Sequence, residues 1–403
     1  IKVKMTTDLS KEDRIRLNMR QICLHEAKPN IKPLSSTAVT RGFEKAAFPK
    51  IVRELQGEDL IVTQKSLLAA RELLGSPINY VQCIAAGITP AVIPLLKDKD
   101  AVVRERAAGT MGYIAVKEVG ARDIIQHGGV YQLVACLTDT VMEVRNAAYK
   151  ALIEAARFDA VRRELSAQGA LVELMALVLQ EEQSRALQGL VLLNACVQVL
   201  HNNHALEQLI DKASAINALV GLLSQGKPAD IQEQAAQLLG VLTSRFEDAK
   251  IVAVQEGAVP KLLALLPSEQ VHLASAAATA LMTITVSRDG KYAVIKTPGG
   301  LEALVAKLDR VREQLCVNVM EVITNVAEAP EARPVLAQAG AQAALTHIHD
   351  ASESEVLKRS SAQCLRQCGF KHLPYGVLRG RQLLDPAPEL DQSLDALAEP
   401  PAA

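Results

Sequence analysis

The sequence predicts an all-α solenoid of about eight stacked units, each roughly 42 residues long. Three observations carry this. Gly87, Gly128, Gly169, Gly257, Gly299 and Gly340 recur in step, with Ala46 and Ser214 at equivalent places. Successive spacings are 41, 41, 41, 45, 43, 42 and 41 residues. Five places after each anchor stand Ile51, Val92, Leu133, Leu174, Leu219, Leu262, Leu304 and Leu345. Nine places after it stand Leu55, Leu96, Leu137, Val178, Leu223, Leu266, Leu308 and His349, of which only the last is not aliphatic. Finally, the 403 residues are 49% apolar but only 3% aromatic, without Trp, so Ala, Leu and Val must build the core. That composition suits closely packed helices better than sheets.

The unit is clearest in Ala249–Gly290. A short helical piece ends at Gly257, because a helix C-terminus wants a positive φ that glycine adopts without steric cost. A second helix begins near Pro260, where no backbone donor is lost. Its Val259, Leu262, Leu263, Leu265 and Leu266 form a wide apolar stripe. After a break at Pro267-Ser268, a longer helix carries Val271, Ala274, Ala277, Leu281 and Ile284 at helical spacing. Alone, such a unit leaves apolar stripes wet on both sides, so it needs copies of itself to stack against.

In chain order, residues 1–42 are an N-terminal helix and linker. The helix covers 10–28, with Ser10 as candidate N-cap and Ile15, Met19, Ile22 and Cys23 as a narrow apolar stripe. Pro29–Thr40 reads as linker. Residues 43–370 form the solenoid. Its long helices open with VRERAAG from Val103, VRNAAYK from Val144, IQEQAAQ from Ile231 and VREQLCV from Val311. Asp98, Asp100, Asp139 and Ser268 in the preceding breaks are expected to cap them. The polar HNNH at 201–204 is expected as a lengthened loop, as is Gly226-Lys227-Pro228. Residues 371–403 are a Pro/Ala-rich acidic tail.

Net charge is −1 and the pI near 6.8, which argues against a general electrostatic grip on nucleic acid or anionic membrane. No apolar run is long enough to span a bilayer. The N-terminus lacks a signal-peptide core, and Met5 reads as a candidate natural start. Cysteines 23, 83, 136, 196, 316, 364 and 368 lie mostly inside helical patterns and are expected as reduced, buried thiols in the cytoplasm.

No P-loop, dinucleotide glycine pattern or nucleophile elbow is present, and Gly109-Thr110-Met111-Gly112 lies inside a helix. His347 and His349 could face Cys364 and Cys368 as zinc ligands, but small buried cysteines in a terminal unit are the commoner outcome. His201 and His204 read as solvated loop residues, and Glu181-Glu182 as solvated surface. The expectation is a non-enzyme without cofactor or metal.

A period near 42 with a short helix, a glycine and two longer helices resembles the armadillo repeat. That resemblance implies a right-handed superhelix with the third helices lining a concave face. In importin-α and β-catenin this face carries an Asn ladder that grips an extended peptide. The matching positions here are Tyr113, Glu154, Asn194, Val241, Thr283 and Asn325. Only two are Asn, which disfavours a nuclear-import role. Tyr113, Glu154, Asn194, Thr283 and Asn325 are the partner-binding candidates. For the two Asn residues, backbone hydrogen bonding is an equal alternative. Tyr113 and Tyr149 fit packing better than recognition. A partner's helix or strand is expected in the groove of the third to seventh units.

A narrower resemblance lies in ALMTITVSRDGKYAVI (280–295), VITNVAEAPEARPVL (322–336) and FPKIVRELQGEDLIVTQKSLLAARELL (48–74). These stretches resemble the armadillo-repeat radial spoke proteins of motile cilia and flagella. The resemblance implies a structural subunit of a large multi-protein complex in the axoneme. It would bind other radial spoke proteins, including the spoke's scaffold subunits, and support control of motility. A cytosolic armadillo adaptor in trafficking or protein degradation would share the fold.

Overall fold

The computed structural model describes residues 10–12, 16, 46–198, 203–309 and 311–370. Among them there is no strand. The predicted N-terminal helix, apart from Ser10, Lys11, Glu12 and Arg16, and the tail after 370 lie outside the described residues.

The helices fall into three classes that alternate along the chain. The middle helices are α1 (Ala47–Leu55), α4 (Ile88–Val92, continued as a 3-10 turn over Ile93–Lys97), α7 (Gly129–Ala135, continued over Cys136–Thr138), α10 (Ala170–Gln180), α13 (Ala215–Leu222), α16 (Ala258–Leu265), α19 (Gly300–Val305) and α22 (Ala341–Ala351). Each is followed by a long helix: α2 (Leu60–Leu74), α5 (Ala101–Ala115), α8 (Met142–Ala155), α11 (Gln183–Val197), α14 (Ala229–Arg245), α17 (Val271–Ile284), α20 (Glu313–Val326) and α23 (Glu355–Gln367). Between a long helix and the next middle helix lies a short one: α3 (Pro77–Ala85), α6 (Glu118–Gln126), α9 (Asp159–Ala167), α12 (Asn203–Ala213), α15 (Glu247–Gln255), α18 (Arg288–Lys296) and α21 (Ala332–Gln338). Each long helix packs on the next long helix, which is the stacking of a solenoid.

The anchors behave as the spacing requires. Gly87, Gly128, Gly169, Gly257, Gly299 and Gly340 all have φ between 70° and 85° and open a middle helix. Ser214 takes the same left-handed turn with φ 46°. Ala46 does not; it is right-handed at φ −74°, so the first unit enters its middle helix without the turn. The aliphatic residues five places on are all buried, from Ile51 to Leu345. Each contributes about 1.5–3 kcal/mol over an exposed side chain. Small residues let the long helices close up. A Cβ on Gly112 would stand 3.5 Å from the Ala151 backbone, and one on Gly240 would stand 3.4 Å from that of Ala280. At that spacing a Cβ alone would already touch the facing backbone.

Several expectations need correction. Asp100 does cap α5 by accepting from the Val103 amide, but Asp139 and Ser268 cap nothing. Asp139 instead accepts from the Val141 amide within its turn and pairs with Arg104, while Ser268 accepts from the Gln270 amide. Asn203 and His204 are not loop residues; they form the first turn of α12, and residues 201–202 lie outside the described set. Glu181 is not solvated surface. It is largely buried and lies 2.8 Å from Arg145 and 2.5 Å from Arg185.

Candidate functional site

A groove of about 520 Å³ lies on α2, α5 and α8. Its floor is made by Gly109, Gly112, Ala147 and Ala151. Because these residues are small, the seam between the helices is only partly filled, by the Arg71 guanidinium lying over Gly109. Around it stand Arg71, Glu105, Tyr113, Glu143, Asn146, Lys150 and Glu154. The Arg71 guanidinium lies 5.0 Å from the centre of the Tyr113 ring, a cation–π distance. Glu154 pairs with Arg157 at 3.1 Å on the exposed side. An aromatic ring with charges of both signs around a bare floor is suited to a polypeptide side chain or helix ridge. Nothing in it resembles a nucleophile with its base.

The structure therefore divides the six predicted face positions. Tyr113 and Glu154 line the groove. Tyr113 is 40% exposed, against the packing role expected for it, whereas Tyr149 is fully buried as packing requires. Burial pushes the Tyr149 phenol up to about 12. The other polar positions bond to neighbouring long helices. Buried Asn194 donates from Nδ2 to the Gln234 carbonyl at 2.9 Å and to its side-chain oxygen at 3.0 Å. Thr283 and Thr243 share a hydroxyl–hydroxyl bond of 2.7 Å. Asn325 donates to the Met282 carbonyl and to Thr285, both at 3.2 Å. Val241 is half-buried and packs on the core. The groove sits on the long helices of the first three units, so it meets the expected third-to-seventh span only at α8.

Sequence reasoning missed Arg71, Glu105, Glu143, Asn146 and Lys150. For Glu105 and Asn146 a signal was present in the repeated openings VRERAAG and VRNAAYK, where each stands between buried Val and Ala positions and is itself half-buried. In the same openings, Arg104 and Arg145 turn out to be clamps. Arg104 pairs with Asp139 at 2.6 Å, and Arg145 donates to the Asp139 carbonyl at 2.7 Å. The Arg104 hydrogen bond holds Asp139 below the usual carboxylate range. At Glu181 burial works upward, yet Arg185 and Arg145 bring the group below its ordinary value.

Among the described residues no three His, Cys, Asp or Glu side chains come together as metal ligands. His347 is exposed, His349 lies against Asp350, Cys364 is buried in α23 and Cys368 is buried just past its end. His204 is exposed and lies 2.8 Å from Gln208.

The chain is 55% identical over 381 residues to radial spoke protein 14 of Chlamydomonas reinhardtii, covering 92% of this chain and 98% of that one. It is 24% identical over 260 residues to Protein CELLULOSE SYNTHASE INTERACTIVE 3 of Arabidopsis thaliana, covering 63% of this chain and 12% of that one. Among solved structures, an engineered protein superposes with a TM-score of 0.73 at 23% identity, covering 80% of this chain and 78% of that one, a likeness of fold alone. No family model matches.

Proposed function

The chain belongs to the radial spoke protein 14 family, and from that premise we propose that it is a non-catalytic scaffold which holds other spoke subunits through the groove on α2, α5 and α8. It is a radial spoke component of the ciliary or flagellar axoneme and a member of that multi-protein complex. The observation that supports the binding role is the exposed Tyr113 with Arg71 beside its ring, over a floor of glycine and alanine. In a stack whose other polar face positions are bonded between helices, this is where side chains remain free to meet a partner.

The stack itself supports the scaffold role. Cross-helix bonds such as Asn194 to Gln234 and Thr243 to Thr283 tie successive long helices, so a load at one end is carried along the row. The test is incorporation. Full-length chain carrying Tyr113→Ala with Glu154→Lys is expressed in ciliated cells that lack the native copy, and the spoke fraction is quantified by mass spectrometry. Reduced recovery with unchanged thermal melting is expected. Normal assembly with both changes would move the binding role off this groove.

A further inference from the structure

A second surface begins beside the groove and follows the corners where middle helices turn into long ones. Leu60 (46% exposed), Ile61 (61%), Val102 (38%), Met142 (42%) and Leu179 (52%) stand at four successive corners. Internal bonds hold these corners side by side. Gln64 donates to Asp100 at 2.9 Å, Arg104 pairs with Asp139, and Arg145 pairs with Glu181. The result is an aliphatic row along one edge of the stack, which water does not favour. It is interrupted at the next corner by the polar Gly226-Lys227-Pro228 loop, beyond which exposed Val271, Val311 and Val356 stand at the later corners.

The row is rimmed by negative charge. Segments 58–61, 97–102, 138–143 and 179–184 hold eight carboxylates against two lysines. With the three arginines that reach in (104, 145 and 185), this leaves a net charge of −3. Those arginines are committed to Asp139 and Glu181, so the corners offer little positive charge to an arriving carboxylate.

Neighbouring packed helices lie roughly 8–10 Å apart, which sets the spacing of the row. An α-helix repeats a side chain on one face every seven residues, about 10.5 Å. A strand repeats one about every 7 Å and drifts out of step. We propose that this edge docks a basic amphipathic helix from another spoke subunit, with aliphatic residues at seven-residue intervals meeting successive corners and lysine or arginine between them. This surface borders the Tyr113 groove at Glu143, while its aliphatic residues lie outside the groove lining.

Photoreactive residues at Val102 and, separately, at Met142 in the full chain test the proposal in isolated spokes. Both are expected to cross-link to one partner helix, at sites about seven residues apart flanked by basic residues. Cross-links to this chain's own segments, to an extended or acidic segment, or to two unrelated partners would overturn it. So would no cross-link where a probe at Tyr113 succeeds in the same preparation. The polar variants Val102→Thr and Met142→Gln, which keep approximate size at exposed sites, are expected together to lower recovery in the spoke fraction at least tenfold without shifting melting. Unchanged recovery would also overturn the proposal.

Discussion

Arg104 reaches from the first turn of α5 to Asp139 in the next corner and donates to both carboxylate oxygens, Nε to Oδ2 at 2.6 Å and Nη2 to Oδ1 at 3.0 Å. The same guanidinium donates from Nη1 to the carbonyls of Asp98 and Lys99. One side chain thus satisfies two consecutive corners, and both partners are largely shielded from solvent. A shielded, forked pair is worth more than the exposed ion pairs elsewhere on the helices.

The pair makes the stack acid-sensitive. Asp139 is held below its ordinary value by Arg104, and Glu181 is also lowered. A depressed carboxylate contributes stability above its unfolded pKa, and that contribution is lost as pH falls through the folded value. The loss therefore begins near the ordinary carboxylate range, about pH 4, and grows below it. Asp139→Asn should be less stable at pH 7 by about 2 kcal/mol and show a shallower acid slope in urea unfolding. An unchanged slope would mean the pair is not what acid breaks.

At the alkaline end the cysteines act. Burial pushes the thiols of Cys83, Cys136 and Cys316 up to about 11 and that of Cys196 to about 12. An acid whose folded pKa is raised favours folding fully below the unfolded value and loses that contribution as pH rises. Stability should fall from about pH 9 upward. In the folded protein these thiols should react slowly with a thiol reagent at pH 8 and fully in urea. Rapid native labelling of four or more thiols would refute the burial.

The left-handed turns give a paired test. Gly169 has φ 73° and open space around its Cα, so a substitution there is strained by backbone conformation alone. Gly169→Val should cost about 2 kcal/mol. Ser214 already bears that strain at φ 46°. Ser214→Gly should stabilise by about 0.5–1 kcal/mol, the relief of strain offset by glycine's larger entropy loss. Opposite shifts in the urea midpoint are expected. Gly290 differs, because a Cβ there would stand 2.2 Å from the Ile284 carbonyl oxygen. At that position crowding rather than φ explains the glycine.

These turns show why the fold was legible. A left-handed φ restricts one position to glycine, and a buried stripe restricts others to aliphatic residues, so both leave marks at fixed spacing. Gly87, Leu133 and Leu262 could be placed from the sequence for that reason. Polar partners leave no such mark. Asp139 has the same composition signal whether it caps a helix or pairs with Arg104. Asn194 reads the same whether it meets a partner or Gln234. The groove was half visible. Tyr113 and Glu154 follow from the repeat phase, but the bare floor of Gly109, Gly112, Ala147 and Ala151 appears only when α5 and α8 are set side by side.

Asn194 and Asn325 therefore separate stacking from recognition. Their side-chain N–H groups are donated to Gln234, Met282 and Thr285, on or at the end of adjacent long helices, while the buried Asn194 Oδ1 has no hydrogen-bond partner among the described residues. Asn194→Ala and Asn325→Ala should each cost about 1 kcal/mol of stability, read as a lower urea midpoint. Partner binding by protein that remains folded should be unaffected. Tyr113→Ala should do the reverse, since its ring is 40% exposed and its neighbours Gly109 and Gly112 need no support from it. The expected pattern is a melting change without binding loss for the Asn variants and a binding loss without melting change for Tyr113. If instead an Asn variant abolishes spoke incorporation at full stability, these amides must exchange their internal partners for an external one. The face beyond α8 would then belong to the binding surface.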